Sequence, residues 1–386
     1  MMRRVPPAWS PLSLAAVARG ARAAVAGDAG AAAALEARVR DHLGARDVLL
    51  ADSGTSALAL AIRASAEPSR AVTALPAWAC YDLATATDAA DARAMLYDLD
   101  SATLAPVPRS LGQAVRGATA VVIAHLFGLP VPLGDLRERA GDALIIEDAA
   151  QAAGARLHGR AAGAAGDVTV LSFGRGKGLT GGGGGALAAL TPRGEAAVQA
   201  ARGLMGPAAS GGRPMIMLAA QWALGRPELY VLPSVLPLGL GDTVYHPPHP
   251  ARAIPVACAR VAAENWDDAL AESRVRRENA ARLDAALGRG LERIRAADGS
   301  EPGYLRLPVL ASPTARAGAA RARALGVMPG YPISLADLPG FRRVANRDAD
   351  FTGARTLAQR LLTLPTHRLL SDGDLRRLAE WANSQR

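Results

Sequence analysis

The chain has 386 residues, half of them hydrophobic and 20% charged, which is a globular composition and not that of a disordered chain. That length accommodates two domains or one large α/β domain. The net charge of +9 raises nucleic acid as a partner, but no run of arginines exceeds two and no aromatic residues interleave with them, so a compositional bias towards Ala, Gly, Arg and Pro is favoured and no nucleic-acid partner is expected.

The first 26 residues carry a faint likeness to a signal peptide. Arg19 and Arg22 interrupt its apolar run and Pro6, Pro7 and Pro11 break its start, so it reads as a surface helix. Residues 30–44 predict an amphipathic helix ending at Gly44. Residues 47–65 move from a short strand through Ser53-Gly54-Thr55-Ser56 into a helix, and 71–90 repeat that rhythm. Strands follow over 92–100 and 117–128, then a helix over 133–141 and strands over 143–150, 167–173 and 184–190. Short apolar runs alternating with helical patterns predict a mostly parallel sheet with helices on both faces. The apolar stretch 214–240 is cut by Arg226, Pro227 and Glu228, too short to span a bilayer, and is assigned to a subunit contact. The rhythm stops near residue 245. A long helical stretch covers 254–287, and shorter elements run to a closing helix in 371–384. Residues 1–245 are therefore expected to form a large domain and 246–386 a smaller C-terminal α/β domain.

Of the 44 lysines and arginines, Lys177 is the one lysine. A position that needs only positive charge is served by arginine. Arginine cannot give up its proton near neutral pH, whereas a Schiff base needs a primary amine. A lysine surviving in a glycine tract thus points to covalent amine chemistry, against the plainer alternative of a leftover surface lysine. Glu147 and Asp148 end a buried apolar run, and ligands in open α/β sheets sit at the carboxyl ends of strands. An acid there suits a protonated pyridine nitrogen; its plainer role is a helix cap. Gln151 is placed to donate to a ring hydroxyl. The turn Gly54-Thr55-Ser56 enters a helix and offers backbone N–H groups to a phosphate, with Ser172 adding a hydroxyl. Amine, acid and phosphate turn together are the requirements of pyridoxal 5'-phosphate. Cys80 and Cys258 give no disulfide framework or metal spacing, so no metal is expected and a reducing cytoplasm fits.

On these stretches, and on "DSGTSALALA", "EDAAQAAGA", "GDVTVLSFGRGKGLTGGGGGAL", "VVIAHLFGLPVPLGDL" and "LAQRLLTLPTHRLLSDGDLRRL", the chain resembles the DegT/DnrJ/EryC1/StrS sugar aminotransferases, of the type I aminotransferase fold. The resemblance implies that Lys177 carries the cofactor and shuttles a proton, Asp148 holds the pyridinium N–H, and Gln151 contacts the ring hydroxyl. It also implies that Gly54, Thr55 and Ser56 with Ser172 hold the phosphate and that an aromatic residue stacks on the ring. Cys80 falls at the stacking position; Tyr81, with Trp78 close by, is the expected stacking residue. Its further implications are transfer of an amino group, from glutamate, to a nucleotide-linked keto sugar, and a homodimer. The chain departs from the family's pattern at Gly178, where the family has Asn, and at Gly183, where it has Glu. The Asn-Tyr-Arg segment that the partner subunit contributes is replaced by a stretch holding His246 and His249. A dehydratase or lyase is disfavoured because those relatives replace the lysine. A non-catalytic cofactor-binding regulator is the alternative from a different class. His125 is expected to be a satisfied core histidine.

Overall fold

The computed structural model describes residues 3–67, 70–208, 212–232 and 244–385. The alternating apolar runs form one seven-stranded sheet from β1 (Asp47–Ala51), β2 (Val72–Pro76), β3 (Arg93–Tyr97), β4 (Ala120–Ala124), β5 (Leu144–Asp148), β6 (Val168–Ser172) and β7 (Gly185–Ala189), in the order β1-β7-β6-β5-β4-β2-β3. The pairs β2/β3, β2/β4, β4/β5 and β5/β6 are parallel, and β7 runs antiparallel to both neighbours. The central strands are buried on both faces, which is why β4 reads as an unbroken apolar run rather than an alternating one.

Helices α1 (Leu14–Ala26) and α2 (Gly30–Leu43) precede the sheet. Helix α1 is the surface helix expected at the N-terminus: Ser13 caps its first turn, Gly27 ends it in the left-handed region, and Ala16, Val17 and Ala23 are buried while Val25 faces solvent. Helix α3 (Gly54–Arg63) follows β1 and α4 (Asp82–Ala89) follows β2. The apolar stretch from 214 begins inside a helix, Gly212–Leu224, that leaves Ile216 and Met217 exposed; positions 233–240 lie outside the described residues.

The expected continuous helix over 254–287 is two helices, Val256–Glu264 and Trp266–Asp284. Asn265 breaks it. Its backbone leaves the helical region, its amide group donates to the Val261 carbonyl, and its side-chain oxygen accepts from the Ser13 amide. The first of the two helices packs against α1 and α2.

A second, antiparallel sheet is built from β8 (Leu291–Arg293), β9 (Leu307–Ala311), β10 (Met328–Pro329) and β11 (Leu361–Leu364), in the order β8-β9-β11-β10. Val309, Leu362, Leu364 and Leu378 form its core with the C-terminal helix Asp372–Ser384, which starts in a capping box of Ser371 and Asp374.

Next to this core, His367 is buried, its Nε2–H bonded to the Pro6 carbonyl and its Nδ1 without a partner. Burial pushes its pKa down to about 4. Between the ordinary value near 6.5 and about 4, the unfolded chain takes up a proton that the native ring refuses, so native stability falls as pH drops through that window and levels off below it. The full effect is about 3 kcal/mol. Denaturant midpoints measured from pH 7 to pH 4 should fall more steeply for the natural chain than for His367→Gln; equal slopes refute this.

Candidate active site

The carboxyl ends of β4, β5 and β6 open on a cavity. Gly54, Thr55, Asp148, Gln151, Ser172 and Lys177 line it, together with Cys80, Asp82, Leu83 and His125. Residues 54 to 177 of the sequence thus meet in one place because parallel strands bring their C-terminal ends to one edge of the sheet.

The turn after β1 is shaped by contact with β6. A Cβ on Gly54 would stand 2.8 Å from the Ser172 Cβ, so only glycine lets the helix N-terminus approach that strand end. Ser53 caps α3: its hydroxyl accepts from the Ser56 amide at 3.0 Å. The Ser56 amide is thereby committed, and Ser56 does not line the cavity, whereas Thr55 and Ser172 do.

Asp148 ends β5. Its Oδ1 accepts from the Ala150 amide at 3.0 Å, and burial raises its pKa against the pull of the Lys177 charge. Burial pulls the Lys177 amine down, but Cys80, Asp82 and Asp148 outweigh it and the net shift is upward. Burial pushes the Cys80 thiol itself up to about 12, so near neutral pH it is uncharged and the two carboxylates hold the proton on Lys177. Lys177 sits among residues that bend sharply. Gly178 has φ +85°, the left-handed region that glycine and asparagine adopt most readily. The exchange of the family's Asn for Gly there keeps the backbone path.

His125 is satisfied, as expected of a core histidine, and it also lines the cavity. Its Nδ1 accepts from the Val131 amide at 3.1 Å, so Nε2 carries the proton and donates to Glu147 at 3.0 Å. Glu147 also accepts from the amides of Ala165 and Gly166. This buried pair fixes the ends of β4 and β5 beside Asp148.

One expected placement changes. Tyr81 does not line the cavity; its hydroxyl exchanges hydrogen bonds with the Ile333 backbone, and its ring lies 6.2 Å from that of Tyr331. The following helix turns Cys80 and Asp82 inward and Tyr81 away. Trp78 is wholly buried and donates to the Tyr331 carbonyl. Neither His246 nor His249 lines the cavity of this chain; both are exposed, and the His246 carbonyl accepts from the Thr85 hydroxyl. A Cβ on Gly183 would meet Cys258 Sγ at 3.7 Å and the Asp52 carbonyl at 3.9 Å, ordinary contacts, so among the described residues a Cβ is tolerated there.

The sequence reading missed Tyr331. Its hydroxyl accepts from Gln151 Nε2 at 2.8 Å while Gln151 Oε1 accepts from the Phe127 amide at 2.9 Å. Its ring stacks on Phe127 at 6.3 Å. The available signal was a tyrosine between Gly330 and Pro332 in a chain with 4% aromatics. Asp82 carried no signal beyond an acid in the first turn of a helix.

The fold is that of the type I aminotransferases. A model of the DegT/DnrJ/EryC1/StrS aminotransferase family matches residues 14–204 of the chain. The chain is 33% identical over 162 residues to a dTDP-4-dehydro-2,3,6-trideoxy-D-glucose 4-aminotransferase from Saccharopolyspora spinosa, covering 41% of this chain and 42% of that protein. It is 37% identical over 140 residues to an L-glutamine:2-deoxy-scyllo-inosose aminotransferase from Streptoalloteichus tenebrarius, covering 35% of this chain and 33% of that one. The match thus spans less than half the length of these relatives. The structure superimposes on the aminotransferase TlmJ from Streptoalloteichus hindustanus with a TM-score of 0.76 and 24% identity, over 99% of this chain and 98% of that one, which establishes the shared fold.

Proposed function

We propose that the protein is a pyridoxal-phosphate-dependent aminotransferase that moves an amino group from an amino acid to a keto sugar. The observation that carries this reading is the convergence of the one lysine with a strand-end carboxylate and a small-residue helix turn in a single cavity. The donor set fits the cofactor. Asp148 would hold the proton of the ring nitrogen, the Thr55 backbone and the Ser172 hydroxyl the phosphate, and Lys177 the aldehyde carbon. Gln151 keeps one N–H beyond its bond to Tyr331 for the ring hydroxyl. Bound, the cofactor supplies an electron sink for the pair left at the α-carbon of an amino acid. Lys177 takes the α-proton and returns it, which requires its amine to be unprotonated at that moment. Asp148 faces the ring nitrogen, its carboxylate positioned by the Ala150 amide.

The relatives named above act on a dTDP-linked deoxysugar and on a cyclitol ketone. Both supply the same acceptor chemistry, a ketone on a six-membered ring, and a nucleotide-linked sugar is the reading favoured here. The donor is glutamate or glutamine. A homodimer agrees with the apolar side chains left on the surface at Ile216, Leu232 and Val244. Among the described residues, no helix is long and apolar enough to cross a membrane.

The test is spectroscopic. Purified protein with pyridoxal phosphate should show a visible band that glutamate or glutamine bleaches and a keto nucleotide-sugar restores. Protein that binds the cofactor but is never bleached by any amino acid refutes the transferase reading and leaves a regulatory binder.

A further inference from the structure

The Gln151 amide is held at both ends. Its Oε1 accepts from the Phe127 amide at 2.9 Å, and its Nε2 donates to the Tyr331 hydroxyl at 2.8 Å. A backbone N–H must face an oxygen, so the first bond decides which end of the amide is which. One N–H is then spent on Tyr331. The second has no partner among the described residues, although Gln151 lines the cavity with Asp148 and Lys177.

The bond to Phe127 is made at a strained place. Phe127 has φ +56°, the left-handed region that a bulky residue avoids. Such a conformation persists where several contacts fix it at once. The Gln151 oxygen holds the Phe127 amide, the Leu305 amide holds its carbonyl at 2.9 Å, and the Tyr331 ring stacks on its ring at 6.3 Å.

Tyr331 is braced in turn. It stands two residues after β10, and the Gly330 amide donates to the Leu361 carbonyl at 3.0 Å. Trp78 donates its indole N–H to the Tyr331 carbonyl at 2.9 Å, and the two rings lie 5.0 Å apart. A Cβ on Gly330 would stand 2.8 Å from the Trp78 ring, so glycine lets the segment lie against it. The Ile333 amide donates to the Tyr81 hydroxyl at 3.1 Å. Tyr81, expected over the cofactor ring, and Trp78 thus brace the segment that carries Tyr331. Burial raises the Tyr331 pKa well above its ordinary 10, so its hydroxyl stays neutral.

We propose that Tyr331 is a positioning residue that holds the Gln151 amide with its second N–H turned to the ring hydroxyl of the cofactor. This rests on the cofactor reading above. An N–H at that oxygen favours its ionised form. Without the Tyr331 hydroxyl, Nε2 loses its anchor and the amide can swing about the bond to Phe127 that remains.

The test follows the visible band of the cofactor-loaded protein as pH is raised. That band changes when the proton shared by the Lys177 nitrogen and the ring oxygen leaves. A donor makes the ring oxygen less basic, so losing the donor keeps that proton bound to higher pH. Asp148 from β5, Cys80 and Asp82 from the start of α4, and Arg306 from the residue before β9 also act on Lys177, and His125 after β4 lines the same wall. All of them stay in place in the variants used, so the shift isolates the N–H. Gln151→Ala should raise the midpoint by about one pH unit, the effect of one hydrogen bond to a charged group. Tyr331→Phe keeps the stacked ring and the backbone bonds, and should raise the midpoint by about half a unit or more. The double variant should match Gln151→Ala within about 0.2 unit, because nothing is left to position. Thermal midpoints check that all three variants fold. Additive shifts overturn the proposal, since Tyr331 then acts on the ring by its own route. A shift in Gln151→Ala with none in Tyr331→Phe overturns it in favour of Phe127 alone orienting the amide. No shift in either overturns it because Gln151 then does not face the ring oxygen. The band needs no amine transfer, so a protein that loads the cofactor but fails the bleaching test loses the transferase function while this outcome stays legible.

Discussion

Lys177→Arg is expected to abolish covalent attachment of the cofactor and to lower turnover by about 10⁴-fold or more, with the fold intact. The variant keeps a positive charge between Asp82 and Asp148, so the electrostatic balance of the cavity is preserved and the loss isolates amine chemistry. Borohydride reduction followed by mass analysis should mark Lys177 in the natural chain and nothing in the variant. The same residue sets a pH dependence. Its amine pKa is raised above the ordinary 10.5, chiefly because the acids around it overcome burial, so below that value the free-amine fraction rises about tenfold per pH unit. The rate at which the natural chain captures pyridoxal phosphate should climb accordingly from pH 7 to pH 9. A flat profile, or a visible band in the arginine variant, removes Lys177 from the role assigned to it.

Asp148→Asn is expected to lower kcat by about 10³-fold. The amide oxygen can still accept from the Ala150 amide, so the turn after β5 survives, and the negative charge facing the ring nitrogen is what disappears. The charge also acts on Lys177, whose pKa must move down when one of the acids holding its proton is removed. The variant should therefore capture the cofactor faster at pH 7 than the natural chain while turning over far more slowly. A plain loss of structure cannot produce opposite changes in those two rates. If capture and turnover fall together, Asp148 acts through folding and not through the ring nitrogen.

Much of the site was legible because its signals were local. Ser53-Gly54-Thr55 is a helix entry whatever surrounds it, Asp148 closes an unbroken apolar run, and Lys177 stands out against an arginine-rich background. What was not legible required direction or distance. One-residue offsets decided the stacking position: Cys80 and Tyr81 are neighbours, and the start of helix α4 turns the first into the cavity and the second towards Ile333. Tyr331 is separated from Lys177 by more than a hundred residues and follows a short strand without periodicity. The break at Asn265 was invisible because its cause is a side chain bonding to Val261 and to Ser13, 252 positions away.

The sequence by itself determined the α/β alternation, the phosphate-type turn, the strand-end acid and the amine, since each follows from residue type and short-range spacing. Tertiary structure alone decided three things. Strand β7 runs against its neighbours, since an apolar run carries no direction. Glu147 is spent on His125 while its neighbour Asp148 faces the cavity, since alternate strand residues point to opposite faces. Tyr331 reaches Gln151 across 180 positions, because only folding brings side chains so far apart in sequence into contact.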